Sequence, residues 1–129
     1  MIVEDDTDTR LMLKYILEIW NYRVIEAVSG EEALEKAEQF QPDIILMDFM
    51  LPNINGLTAT KRIRELSNQK QAVIIFLSAY TEDKSRAAAL AAGADDFLNK
   101  PVDFGKLELS LEHNFNNKSG LNRLYSEVL

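Results

Sequence analysis

Five side chains in this sequence have types and positions that together could do chemistry: Glu4, Asp5, Asp48, Ser78 and Lys100. Each stands at or just after the end of an apolar run, and the steps between them are 43 residues (5 to 48), 30 (48 to 78) and 22 (78 to 100). Three carboxylates brought together would repel one another and raise one another's pKa unless a cation sat among them. A hard divalent ion is the natural answer. Magnesium prefers oxygen ligands and commonly takes one or two carboxylates together with phosphate oxygens. Asp5 and Asp48 fit as direct ligands and Glu4 as a ligand through water.

For these residues to meet, the runs before them must be strands of one sheet, and the periodicity supports that. Residues 1–4 form a short apolar run (β1), followed by Asp6, Thr7 and Asp8 as capping candidates. Leu11, Met12, Tyr15, Ile16 and Ile19 then recur at helical spacing (α1, through 19). Residues 23–27 read as β2. Ser29-Gly30-Glu31-Glu32 has capping-box spacing and opens α2, which carries Ala33, Leu34 and Ala37 and is stopped by Pro42. Residues 44–47 are apolar at every position, as a strand covered on both faces must be, and read as the central β3. Turn formers fill 51–56, and Leu57, Thr60, Ile63 and Leu66 mark α3 (57–66). Residues 72–77 are a second fully apolar strand, β4. Thr81, with Glu82 and Asp83, is expected to open an alanine-rich α4 that ends at Gly93, a candidate left-handed cap. Residues 97–98 make a short β5, and Asp103 caps α5, with Leu107, Leu109 and Leu111 as its apolar positions. The result is a single α/β domain of (βα)5 type. In such open parallel sheets function gathers outside the carboxyl ends of the strands, where all five side chains stand.

The domain is expected over 1–113, with 114–129, where the periodicity fades, as a tail or the start of a linker. Met1 stands only three residues before Glu4, so β1 is shorter than an ordinary strand, as a trimmed or shortened start would leave it. A length of 129 residues, 47% of them hydrophobic, suits one core. A net charge of −7 argues against a nucleic-acid partner, which calls for a concentrated cationic face. The chain holds no cysteine, no run of 18 apolar residues and no signal-peptide pattern, which points to a soluble cytoplasmic protein and no membrane span.

At this point the residues resemble a known family, the receiver domains of two-component response regulators, the chemotaxis regulators among them. Val3-Glu4-Asp5-Asp6 is similar to the family's acidic motif, and Met47 to Pro52 with Gly56 to its phosphoacceptor segment. Ser78-Ala79 is similar to its hydroxyl and small-residue pair, and Gly93 to Pro101 to the segment that carries its lysine. The resemblance runs over residues 1–113. It implies a doubly wound, flavodoxin-like sheet of order 2-1-3-4-5. It implies that Asp48 takes a phosphoryl group from the phosphohistidine of a sensor histidine kinase or a histidine phosphotransfer protein, forming an aspartyl phosphate. Magnesium (or manganese), held by Asp5, Asp48 and the Met50 backbone carbonyl, with Glu4 through water, and the Lys100 ammonium would balance charge on the phosphoryl oxygens. Ser78 would bond one of those oxygens, draw the β4-α4 loop inward and make room for the ring of Phe97, changing an α4-β5-α5 output surface that could also form a homodimer. The peptide between Lys100 and Pro101 is cis in relatives. Phe97 stands where tyrosine is frequent in the family, so readout through a phenolic hydroxyl is lost. Met50 and Tyr80 flank the place that a hydrolytic water needs and are expected to slow loss of the phosphoryl group.

Plainer roles compete. Asp6 is better read as the cap of α1 than as one of the acidic pair. His113 reads as exposed on α5 and not as a phosphorylation site. Trp20 and Tyr22 read as cover for the end of α1 against β2. Glu31, Glu32, Glu35 and Glu38 read as a solvated helix face. Two other functions stay in view: a receiver-like interaction module that acts without phosphate, and a haloacid-dehalogenase-type phosphatase. The intact five-residue set counts against the first. The second expects an aspartate two residues after the nucleophile, where this chain has Met50. The cognate kinase and the downstream target lie outside these residues, as does the choice between a stand-alone protein and a domain of a larger regulator or hybrid kinase.

Overall fold

The computed structural model describes residues 1–80 and 82–119. Five strands alternate with five helices: β1 (Ile2–Val3), α1 (Thr7–Ile19), β2 (Glu26–Ala27), α2 (Gly30–Phe40), β3 (Ile44–Asp48), α3 (Gly56–Glu65), β4 (Val73–Ser78), α4 (Asp83–Ala92), β5 (Asp96–Asn99) and α5 (Phe104–Ser119). All neighbouring strands pair in parallel, in the order β2-β1-β3-β4-β5. This is the doubly wound fold expected.

Alternation along the strands divides the core into two layers. Ile45, Met47, Ile74 and Phe76 face α2, α3 and α4 through Ala33, Ala37, Ala59, Ile63 and Ala89. Leu46, Val73, Ile75 and Leu77 face α1 and α5 through Leu13, Leu17, Leu107 and Leu111. β2 is only two residues long because its one partner, β1, is: Ile2 pairs with Glu26 and Val3 with Ala27. The Met1 ammonium donates to the Ile44 carbonyl at 2.6 Å, and its burial lowers its pKa to about 5.

Several local expectations need correction. On α1 the buried positions are Leu13 and Leu17, while Leu11, Met12, Tyr15 and Ile19 are exposed. On α5, Leu109 is 66% exposed, because two residues is more than half a turn from Leu107 and Leu111, which share the buried face. Nor does α5 stop at 113. It continues to Ser119, with Asn114 buried and its amide donating to Ser110 O at 2.8 Å, and with Lys118 paired to Asp95 at 3.2 Å. Residues 120–129 lie outside the described residues, as does the cap expected of Thr81. Glu82, immediately before α4, makes no side-chain cap bond. Gly93 ends α4 with a left-handed φ of 114°, as expected.

Gly56 governs how the site is closed. It opens α3 and donates its amide to Phe49 O at 3.1 Å, folding the segment 49–55 back onto the end of β3. A Cβ there would collide with the Asp48 carbonyl oxygen and crowd the Phe49 carbonyl. Gly56→Ala is therefore expected to destabilise the fold by about 1–3 kcal/mol through overpacking against backbone. Urea unfolding measures this, and a variant as stable as wild type would contradict it.

Candidate functional site

The register of the sheet brings the five residues together. Val3 pairs with Met47, so Glu4 follows alongside Asp48 at the carboxyl ends of two adjacent strands. Asp48 pairs with Leu77, one step before Ser78, and Ser78 with Asn99, one step before Lys100. The Lys100 amide donates to Ser78 O at 2.7 Å, tying the ends of β4 and β5. The peptide between Lys100 and Pro101 is cis.

Lys100 is the link between the far edge and the centre. Its ammonium donates to Glu4 Oε1 at 2.6 Å and to Asp48 Oδ1 at 3.1 Å. Glu4 is 2% exposed and Asp48 6%, so this cation balances two carboxylates that water hardly reaches. Burial pushes the Glu4 pKa above its ordinary value of 4.5; Lys100 opposes that rise and Asp48 adds to it. Burial alone would lower Lys100, but its bonds to Glu4 and Asp48 prevail and hold it above 10.5. Glu4 is oriented further by the Asp6 amide, which donates to its Oε2 at 3.2 Å, and by Arg10, whose Nη1 donates to its backbone carbonyl at 3.0 Å.

Asp5 is exposed and makes no hydrogen bond or ion pair among the described residues. One oxygen each of Glu4, Asp5 and Asp48 lie within 4.8 Å of one another. Three hard oxygen donors at that spacing, and a single ammonium against three negative charges, suit a hydrated divalent cation of the magnesium kind. Asp6 takes the plainer role: its carboxylate caps α1 by accepting from Thr9 N at 2.9 Å, and the Thr9 hydroxyl foremost, with that amide, holds its pKa below the usual range.

Ser78 is buried, and its hydroxyl oxygen accepts from the Tyr80 amide at 2.9 Å. Met50 and Tyr80 are exposed at the mouth of the site, with the Met50 amide 3.4 Å from Asp48 Oδ1. The ring of Phe97 lies inside the core. Beside it stands a residue that the sequence reading passed over. The ring of Phe49 makes edge-to-face contacts with Phe76 (centroids 5.8 Å apart), Tyr80 (5.9 Å) and Phe97 (6.4 Å). A single aromatic after an apolar run carries no signal of its own. Its role comes from four segments that meet only in the fold. His113 is exposed, and its ring nitrogen lies 3.2 Å from the Asn117 amide.

Comparison with known proteins agrees with this geometry. The chain is 39% identical over 101 residues to the alkaline phosphatase synthesis transcriptional regulatory protein PhoP of Bacillus subtilis, an alignment covering 78% of this chain and 41% of that protein. It is 35% identical over 118 residues to a cyclic di-GMP phosphodiesterase of Thermotoga maritima, covering 92% of this chain and 31% of the relative. The chain thus spans well under half the length of these curated relatives. Among solved structures, the receiver domain of sensor histidine kinase PA1611 from Pseudomonas aeruginosa superposes with a TM-score of 0.82 at 33% identity, covering 89% of this chain and 94% of that one. That structure holds a magnesium ion coordinated in its active-site cleft. Residues 1–112 match the family model described as the response regulator receiver domain. A parallel sheet with an acidic, lysine-bridged cleft at its carboxyl edge, together with that match over most of its length, places this chain in the response regulator receiver domain family.

Proposed function

We propose that this receiver domain accepts a phosphoryl group on Asp48 from the phosphohistidine of a sensor kinase or a histidine phosphotransfer protein. The observation that carries this reading is the Lys100 ammonium lying between Glu4 and Asp48, which leaves a buried carboxylate at a strand end with a cation already beside it. An Asp48 oxygen attacks phosphorus, the nitrogen–phosphorus bond to the imidazole breaks, and an acyl phosphate results. Little covalent chemistry is asked of the chain beyond that, so positioning and charge balance do most of the work. Lys100 is placed to follow the negative charge from the carboxylate to the phosphoryl oxygens, and Ser78 to donate its hydroxyl to one of them. Asp5, Asp48 and the Met50 carbonyl, with Glu4 through water, would hold a magnesium or manganese ion, which supplies further neutralisation of the phosphoryl charge when bound.

The exposed apolar row Leu11, Met12, Tyr15 and Ile19 on α1 offers the partner a docking face. The output surface is assigned to α4, β5 and α5, where Ala87, Leu90, Ala91 and Leu109 are exposed and where a second copy could dock. A cytoplasmic setting goes with a kinase donor. No enzyme activity on an outside substrate is assigned to the domain. With all five residues in place, nothing favours a phosphate-independent interaction module.

Incubation with acetyl phosphate and magnesium, followed by intact-mass measurement, tests the central claim. Wild type is expected to gain one phosphate and Asp48→Asn none; no gain in wild type, or a gain that survives in the variant, overturns it.

The side chains at the mouth set the lifetime of the mark. Met50 and Tyr80 crowd the approach of water to the phosphorus, so Met50→Asn, which offers water a hydrogen-bond partner, is expected to speed decay of the phosphorylated protein. Slower decay in the variant would sink the idea.

Lys100 also governs stability. Its raised pKa means that its contribution is fully present below pH 10.5 and is lost as pH rises beyond that value. Without it, burial and repulsion by Asp48 act unopposed on Glu4 and favour its protonated form. Lys100→Met is expected to lose about 3 kcal/mol near neutral pH in the absence of divalent ions. The deficit should shrink as pH falls toward 4.5, the ordinary value for Glu4, where that carboxylate takes up its proton. Urea unfolding across that range reads it, and a deficit independent of pH would refute the electrostatic cause.

A further inference from the structure

We infer that Phe49 is the positioning residue that carries the displacement of the β4-α4 loop to β5, and so joins the phosphoacceptor site to the output surface. The inference rests on the reading of Asp48 as phosphoacceptor. It concerns a residue that neither holds the phosphoryl group nor lies on the output face.

Three observations converge on this ring. Ser78 and Tyr80 are tied to each other, because the Ser78 hydroxyl oxygen accepts from the Tyr80 amide at 2.9 Å. A serine hydroxyl has one proton to donate and separate lone pairs to accept with, so bonding a phosphoryl oxygen does not require breaking the bond to Tyr80. Whatever draws Ser78 toward Asp48 therefore draws the Tyr80 backbone with it. The Tyr80 ring meets the edge of Phe49 at 5.9 Å, and Phe49 meets Phe97 on β5 at 6.4 Å, with interplanar angles of 76° and 80°. No direct ring contact joins Tyr80 to Phe97 among the described residues, so Phe49 is the piece between them.

Phe49 itself has little freedom to absorb the motion. Its amide donates to Leu77 O at 3.0 Å, its carbonyl accepts from Gly56 at 3.1 Å, and its ring rests on the fully buried Phe76 at 5.8 Å. Held on those sides, the ring transmits a push from Tyr80 toward Phe97. Phe97 in turn reports to α4, because its backbone carbonyl accepts from Arg86 Nη1 at 3.3 Å. Edge-to-face geometry matters here: a branched aliphatic side chain fills comparable volume but makes no directional contact with a neighbouring ring.

The test follows Phe97 by fluorine NMR in protein carrying 4-fluorophenylalanine, with the Phe97 line assigned from Phe97→Leu, and with magnesium and beryllofluoride as a stable phosphoryl analogue. In wild type the Phe97 resonance is expected to shift when beryllofluoride binds. In Phe49→Leu the analogue still binds but most of that shift is lost, and Phe49→Tyr, which keeps the ring, restores it. Tyr80→Leu, altered at an exposed side chain, is expected to lose the shift as well, and serves if Phe49→Leu does not fold. A shift in Phe49→Leu equal to that in wild type overturns the inference, as does an unmoved Phe97 line in wild type with the analogue bound. Failure of the analogue to bind wild type, together with no mass gain from acetyl phosphate, overturns the Asp48 reading and this inference with it.

Discussion

One ammonium among buried carboxylates is the constraint around which this domain is arranged. Glu4 and Asp48 stand side by side on adjacent strands with almost no exposure to water, an arrangement that repels in the absence of Lys100. The lysine comes from the far end of the sheet, 52 residues from Asp48 and 96 from Glu4, so the cluster closes only when β1, β3, β4 and β5 are in register. Conversely, a pocket with one positive charge for three negative ones is electrostatically incomplete. That shortfall suits it to a hydrated divalent cation.

The framework below the site is held by polar contacts that spare the cleft. Arg64 on α3 donates to the carbonyls of Gly93 at 2.9 Å and Ala72 at 2.6 Å and to Asp95 Oδ2 at 2.9 Å, while Asp95 accepts from the Ile74 amide. One side chain thus secures the start of β4, the end of α4 and the approach to β5. On the other face Asp96 accepts from the Ser110 hydroxyl and the Asn114 amide, which pins α5 to β5. Both clasps lie toward the amino ends of the strands. The carboxyl ends are left to the loops that carry the charged cleft, so a rigid base supports the candidate site.

Most of this was legible in the sequence where a residue's environment is set by its own segment. β3 and β4 are apolar on consecutive positions because both faces are covered, and that alone located Asp48 and Ser78 at strand ends. Periodicity misled where apolar residues lie on both sides of a helix. On α1 the row Leu11, Met12, Tyr15 and Ile19 follows a helical spacing as well as Leu13 and Leu17 do, and only the sheet beneath decides between them. The end of α5 was hidden for the opposite reason. Phe115 still packs on the core one turn beyond Leu111, but its neighbours are polar, with Asn114 satisfied by Ser110 and Asp96 and Lys118 by Asp95, so a single apolar residue marks the last turns. Phe49 left no trace because its neighbours are 27, 31 and 48 residues away in sequence.

The same alternation that builds the core also separates the two tasks at the end of β3. Ile45 and Met47 face the layer of α2, α3 and α4, and Phe49 joins that side, packing against its buried cluster. Asp48 falls on the intervening position and is turned instead to the charged cleft with Glu4 and Lys100. Adjacent residues of one strand end thus deliver a carboxylate to the chemistry and a ring to the packing. They share a peptide bond, and Gly56 closes on the carbonyls of both. Any change at the Asp48 carboxyl therefore acts within one residue of the aromatic group that leads to β5. Under the proposed function, the output surface need not be close to the phosphoryl group, because the inferred path to β5 begins at the residue next to the phosphoacceptor.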